Sequence, residues 1–115
     1  EKSAEYVNVE MNALGTPHVG IGTGRHGRRV YREIVEGMDI SAAAWDGRWA
    51  VSYRLPAALL TREFGEKLSA GHIMRGNFYK CSEDIHPHFA VWNPIGVAAP
   101  DYHRPEYFGE MVLKG

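Results

Sequence analysis

The chain has 115 residues and a mass of 12.9 kDa, with 44% hydrophobic and 23% charged residues. That is enough for one core without metal or disulfide staples, and too apolar for disorder. Its 13 basic and 14 acidic side chains leave a formal net charge of -1, which supplies neither the broad positive field that nucleic acid recruits nor a large acidic field for steering cations.

Cys81 stands alone, so neither an internal disulfide nor a cysteine-built zinc site can form, and the thiol reads as a small half-buried hydrophobe. No apolar run approaches the roughly 18 residues of a membrane span, and no signal-peptide pattern opens the chain. Glu1 is not an initiator methionine, so the sequence reads as a processed or trimmed product.

From Tyr6 to Asn12, Val7, Val9 and Met11 alternate with Asn8, Glu10 and Asn12, which predicts a half-buried strand with a polar outer face. Gly15, Pro17, Gly20, Gly22, Gly24 and Gly27 then punctuate a stretch that also carries Arg25, His26, Arg28 and Arg29. Such density predicts turns and loops. Trp45-Asp46-Gly47-Arg48-Trp49 is a hairpin signal, because Asp-Gly readily takes the positive backbone angles of a tight turn. An alternating strand follows, with a short or irregular partner before it and Trp49 in the core.

Pro56 is expected at the first position of a helix running through Leu59, Leu60 and Phe64, with Gly65 ending it. Ile73 to Lys80 reads as one strand, Phe89 to Trp92 as another, and Phe108 to Leu113 as the last. Five or so short strands with Gly/Pro turns and a single helix predict a mainly antiparallel, sandwich-like all-β domain over 1–115, with neither internal repeat nor linker.

Most chemical motifs dissolve when their geometry is considered. The glycines from Gly20 to Gly27 superficially match a dinucleotide fingerprint, yet Arg25, His26, Arg28, Arg29 and Arg32 crowd the place where an apolar helix must follow. The basic cluster reads instead as a solvated loop. His86-Pro87-His88, with Asp84, Asp101 and His103, invites a metal reading because His-x-His on a strand puts both imidazoles on one face. Pro87 weakens the regular strand, and no third ligand is fixed by spacing. No serine lies in a nucleophile-elbow pattern, Cys81 has no evident activating partner, and no carboxylate pair stands out.

Aromatic residues with polar neighbours carry more. Trp92, between Val91 and Asn93-Pro94 at an expected strand end, is placed to project from a sheet edge. A sugar ring offers axial C–H groups to an aromatic face, while its hydroxyls need planar donors and acceptors. Arg75, Asn77, His86 and His88, together with Asn8, Glu10 and Asn12 of the first strand, could supply those groups.

In the C-terminal half the pattern becomes specific: Asn77-Phe-Tyr-Lys-Cys81, His86-Pro-His88, Trp92-Asn-Pro-Ile95 and Asp101-Tyr-His-Arg-Pro-Glu-Tyr-Phe-Gly109, in that order. Val9-Glu-Met-Asn12 with Gly15-Thr16, Arg25-His26, and Trp49 to Pro56 before a short Leu-Leu helix agree with it. From about Tyr6 onward the chain resembles the carbohydrate-binding family 9-like domains, which are similar to the family 9 carbohydrate-binding modules of xylanases. The resemblance implies a β-sandwich of two antiparallel sheets in a secreted, extracellular or periplasmic protein that handles polysaccharide. It implies a sugar end clamped between two tryptophans, with Trp92 matching the later one, and bound calcium supporting the fold. The family domain is longer, and its first strands, with the other clamp residue, precede the segment that matches Tyr6 to Asn12. The resemblance therefore implies that a preceding segment or a companion chain completes the sandwich.

Together these readings predict a non-catalytic carbohydrate-binding domain using Trp92, Asn77, Arg75, His86, His88, Glu10 and Asn12, with no nucleic acid and no membrane span. The alternative is a structural or interaction module of a larger secreted carbohydrate-active protein, without a ligand of its own.

Overall fold

The structure is a computed structural model that describes residues 5–115, apart from the side chain of Glu33. The chain divides into two compact units, Glu1–Lys67 and Leu68–Gly115. Nine strands are found among the described residues, every pairing is antiparallel, and one α-helix accompanies them. The chain is thus all-β, mainly antiparallel with one short helix, consistent with a β-sandwich. There are more strands than the five or so expected, because several are only two to four residues long.

In the first unit, β1 (Tyr6–Met11), β2 (Pro17–Gly22) and β3 (Arg29–Val30) form one sheet with β2 in the centre. The strand expected from Tyr6 is present, but its buried residue is Tyr6, on the side that carries Asn8 and Glu10. The glycine-rich stretch departs further from expectation. It contains the central strand, and Val19 and Ile21 of β2 are 1% and 0% exposed. Gly15 and Gly27 do turn the chain, with φ of 79° and 71°, whereas Gly20 and Gly22 within β2 serve close approach. A Cβ on Gly22 would lie 2.9 Å from Arg28 Cγ and 3.2 Å from Arg28 Cα, so a neighbouring strand can press against β2 only where that side chain is missing.

A 3-10 turn (Glu33–Gly37) leads to Met38, which is fully buried, and its carbonyl accepts the Arg54 N–H at 2.6 Å. The hairpin forms where expected, from β4 (Ser41–Trp45) and β5 (Arg48–Ser52), with Trp45 opposite Arg48. Asp46 and Gly47 have φ of 46° and 71°, the two positive angles that match the turn to the right-handed twist of its strands. Its first strand is as regular as its second, and Trp49 is 42% exposed rather than in the core. Alternation marks sidedness, but it does not supply a layer to pack against.

Helix α1 (Ala57–Phe64) begins one residue later than expected, with Pro56 as the extended N-cap, and ends at Gly65, whose φ of 67° lets its N–H reach Thr61 O at 2.9 Å. It buries Leu59, a contribution of about 1.5–3 kcal/mol. A polar lattice joins helix and sheet. The Arg29 guanidinium donates to both Glu5 carboxylate oxygens, at 2.6 and 3.2 Å, and to Glu63 Oε2 at 3.3 Å.

The second unit contains β6 (Ile73–Gly76) paired with β9 (Gly109–Val112), and β7 (Tyr79–Ser82) paired with β8 (His88–Val91). The single strand expected from Ile73 to Lys80 is therefore two strands with different partners, divided at Asn77-Phe78. Cys81, expected to be half-buried, is exposed. No described residue of this unit is buried; the buried hydrophobic residues Tyr6, Val19, Ile21, Met38 and Leu59 all belong to the first.

The Arg29 lattice carries a pH signature. The hydrogen bond from Arg29 holds the Glu5 carboxyl below its ordinary 4.5. Burial raises the Glu63 carboxyl, but hydrogen bonds from Arg62, Tyr31 and Arg29 outweigh it and leave it lowered as well. A lowered carboxylate stabilises the fold above its unfolded value and loses that contribution as pH falls through its folded value. Arg29→Gln is therefore expected to be less stable than the parent at pH 7, and urea denaturation across a pH series should show the gap closing below the ordinary carboxylate range.

Candidate functional site

The candidate site lies in the second unit, where Asn77 extends a ladder beyond the strands that form it. After the Tyr79↔Val91 pair of β7 and β8, the Trp92 N–H donates to Phe78 O at 2.9 Å. The Asn77 carboxamide then takes the place of a strand. Its Nδ2 donates to Asn93 O at 2.8 Å, and its Oδ1 accepts the Asn93 N–H at 2.9 Å and the Phe78 N–H at 3.0 Å. The Asn93 side chain in turn donates from Nδ2 to Tyr107 O at 2.7 Å. Each such bond contributes roughly 0.5–1.5 kcal/mol, and losing one leaves a part-buried backbone group unpaired.

This bracing presents Trp92 on a glycine floor. A Cβ on Gly109 would lie 2.8 Å from Trp92 Cζ3 and 3.0 Å from Cη2, so a larger residue there would displace the indole. Phe78 meets the indole edge-on at 5.7 Å between centroids and 67° between planes. The two rings are 52% and 59% exposed, forming an open aromatic corner. Phe78 and Gly109 lie within the motifs read from the sequence but were not among its expected site residues. Phe78 reads as an interior strand residue, and its proximity to Trp92 depends on the break at Asn77.

The histidines are arranged differently from the expected pair of imidazoles on one strand face. Strand β8 begins at His88, which leaves His86 in the preceding loop. His88 Nε2 lies 2.8 Å from Lys80 Nζ, and His88 Nδ1 lies 2.7 Å from His86 O. Since an ammonium can only donate, Nε2 accepts and Nδ1–H donates to the carbonyl. The structure thus engages both His88 nitrogens, whereas the His86 imidazole is exposed. Asp101 turns its own loop by accepting the His103 N–H at 3.1 Å. Among the described residues, no group of three or more His, Cys, Asp or Glu side chains could hold a metal ion.

The remaining expected residues are occupied in bracing. Arg75 Nη2 donates to Phe108 O at 2.7 Å and lies 3.4 Å from Glu106 O, fixing the approach to β9. Glu10 and Asn12 belong to the first unit. There Glu10 Oε1 accepts from Asn8 Nδ2 at 2.7 Å and lies 3.5 Å from Arg28 Nη1. Asn12 Oδ1 accepts the N–H groups of Leu14 and Thr16, each at 3.0 Å, which shapes the turn between β1 and β2.

Near β8 the second unit also has an apolar hollow of about 200 Å³, lined by Phe89, Val91, Ile95, Val97 and Tyr102 among others. Tyr102 stacks on Tyr79 at 4.2 Å and 13°, and burial pushes both phenols up from their ordinary value. Tyr79 Oη is buried without a hydrogen-bond partner among the described residues.

The family model described as Carbohydrate-binding family 9 matches residues 1–113. The chain is similar to the crystal structure of a candidate carbohydrate-binding protein from Bacteroides uniformis ATCC 8492, with 27% identity and a TM-score of 0.71. The match covers 97% of this chain and 56% of that one, so this chain spans little more than half the relative's length. No curated protein matches it.

Asn77→Ala is expected to cost about 1–3 kcal/mol in chemical denaturation, through loss of the paired bonds to Asn93. Gly109→Ala should leave the chain folded while changing the near-ultraviolet circular dichroism of Trp92. An unchanged spectrum would mean that the indole does not need its glycine floor.

Proposed function

The chain belongs to carbohydrate-binding family 9, and on that premise we propose that it is a non-catalytic carbohydrate-binding module whose sugar contact centres on Trp92. The observation that carries this reading is the exposed aromatic corner of Trp92 and Phe78, held in place by Asn77, Asn93 and Gly109. In it, the indole face takes the axial C–H groups of a sugar ring, and Phe78 limits how that ring can slide. His86 and His88, expected beside Trp92, stand at the other end of the β7–β8 ladder, about 13 Å or more along the chain from it, so the hydroxyl contacts of a ring on Trp92 do not fall to them. Asn77 and Arg75 act by positioning, because their hydrogen bonds run to main-chain carbonyl and N–H groups. Glu10 and Asn12 serve the β1–β2 turn in this reading. The setting proposed is extracellular or periplasmic, on polysaccharide. Among the described residues no helix is long and apolar enough to cross a membrane.

An open corner buries little sugar surface and exchanges water hydrogen bonds for similar ones, so affinity is weak. A second reading, a structural or interaction module completed by a further segment or companion chain, is favoured by the absence of buried residues between Leu68 and Gly115 among those described. In this second reading the completing strands would cover the hollow beside Phe89 and Tyr102, and the module has no ligand of its own.

Titration calorimetry against oligosaccharides tests the first reading. The parent should bind, and Trp92→Ala should bind at least tenfold more weakly, a loss of about 1.4 kcal/mol or more. Equal binding by the variant would remove Trp92 from the site. For the second reading, the 115-residue chain should bind an apolar dye or self-associate in sedimentation experiments; a dye-silent monomer would exclude a missing cover.

A further inference from the structure

The first unit has a cavity that the Trp92 site does not use. It measures about 290 Å³ and is lined by Pro17, His18 and Val19 of β2 together with Tyr31, Arg32 and Val35, among others. Its origin lies in the backbone. Strand β3 pairs with β2 only at Gly20 and Ile21, the Tyr31 N–H adds one further bond to Val19 O at 3.0 Å, and the chain then leaves the sheet at Arg32 for the 3-10 turn. Among the described residues, Pro17 and His18 therefore have no ladder partner on that side of β2, and a cleft opens between the strand and the turn.

The chemistry of the lining is selective. Val19 is almost completely buried and gives an apolar floor, with Val35 beside it. The Tyr31 hydroxyl accepts from Arg29 Nε at 3.2 Å, which ties down the outer end of a half-buried ring. Neighbouring arginines are already matched, Arg28 with Glu10 and Arg29 with Glu5 and Glu63. Arg32 and His18 are exposed, and neither side chain has a hydrogen-bond or ion-pair partner among the described residues. Among the described residues, a guanidinium without a carboxylate partner thus stands at one cleft with an unpartnered imidazole, an aromatic ring and an apolar floor.

We propose that this cleft is a second ligand site, taking a small ring that bears a carboxylate: an acidic sugar of the uronic acid class. Arg32 offers two parallel N–H donors to the carboxylate, a geometry that a point charge cannot match. His18 offers a third polar contact. Tyr31, Val19 and Val35 receive the C–H surface of the ring. A volume near the lower end of the roughly 300–1,000 Å³ usual for ligand pockets suits one sugar unit rather than a chain. The site is built from the first unit alone and stands apart from the Trp92 reading.

Two-dimensional amide NMR of the 115-residue chain, titrated with galacturonate, galactose or acetate, tests it. Galacturonate is expected to shift the amides around His18–Val19 and Tyr31–Val35, with at least tenfold weaker effects from galactose and from acetate, and to weaken as salt rises. Arg32→Gln should reduce the galacturonate affinity at least tenfold with an otherwise unchanged spectrum, and Trp92→Ala should leave it unaltered. Equal shifts from galactose, or undiminished binding by Arg32→Gln, would overturn the site. Acetate acting as strongly as galacturonate would overturn its assignment to a sugar. Loss of galacturonate binding in Trp92→Ala would overturn its independence.

Discussion

The carboxamide of Asn77 donates to and accepts from the main chain of Asn93, and the geometry of the second unit depends on that exchange. Without it, β6 and β7 would run together as one strand and Phe78 would fall at an ordinary pleat position. With it, the chain changes partner between Gly76 and Tyr79, Phe78 and Trp92 meet edge-on, and Asn93 is free to reach Tyr107. One side chain thereby makes the main-chain bonds that a strand would make.

The two units handle burial in opposite ways. The first has a small core of Tyr6, Val19, Ile21, Met38 and Leu59, closed by the Arg29 lattice to Glu5 and Glu63. The second has no buried residue among those described, and is held by short antiparallel ladders, side-chain bonds to the backbone and aromatic contacts. Two-stranded sheets are marginal by themselves in water. Exposed Phe89, Val91, Ile73 and Val112 are therefore surfaces with apolar area still to lose, which is the physical content of the companion-segment reading.

What was legible in the sequence was what local chemistry determines. Asp46-Gly47 specifies a tight turn through its own backbone angles, Gly65 stops a helix in the same way, and Trp92 follows a strand whose end is marked by Asn93-Pro94. What was not legible depends on residues far apart in the chain. The glycines of β2 read as turns because the reason for them, Arg28 against Gly22, is a tertiary contact. The break at Asn77 was hidden because its partner is 16 residues away. Trp49 was expected in the core because alternation reveals a face without saying whether anything covers it. At the site the aromatic character was readable from Trp92, but the bracing duties of Asn77 and Arg75, and the second ring at Phe78, emerged only from the geometry.

The chain has three tryptophans, Trp45, Trp49 and Trp92, all exposed, so their indole N–H signals distinguish the central claim from its rivals. In a titration with a neutral oligosaccharide that binds, the Trp92 indole signal should move in a saturable way while those of Trp45 and Trp49 stay in place. Saturable movement of Trp45 or Trp49 with Trp92 unmoved would contradict the account.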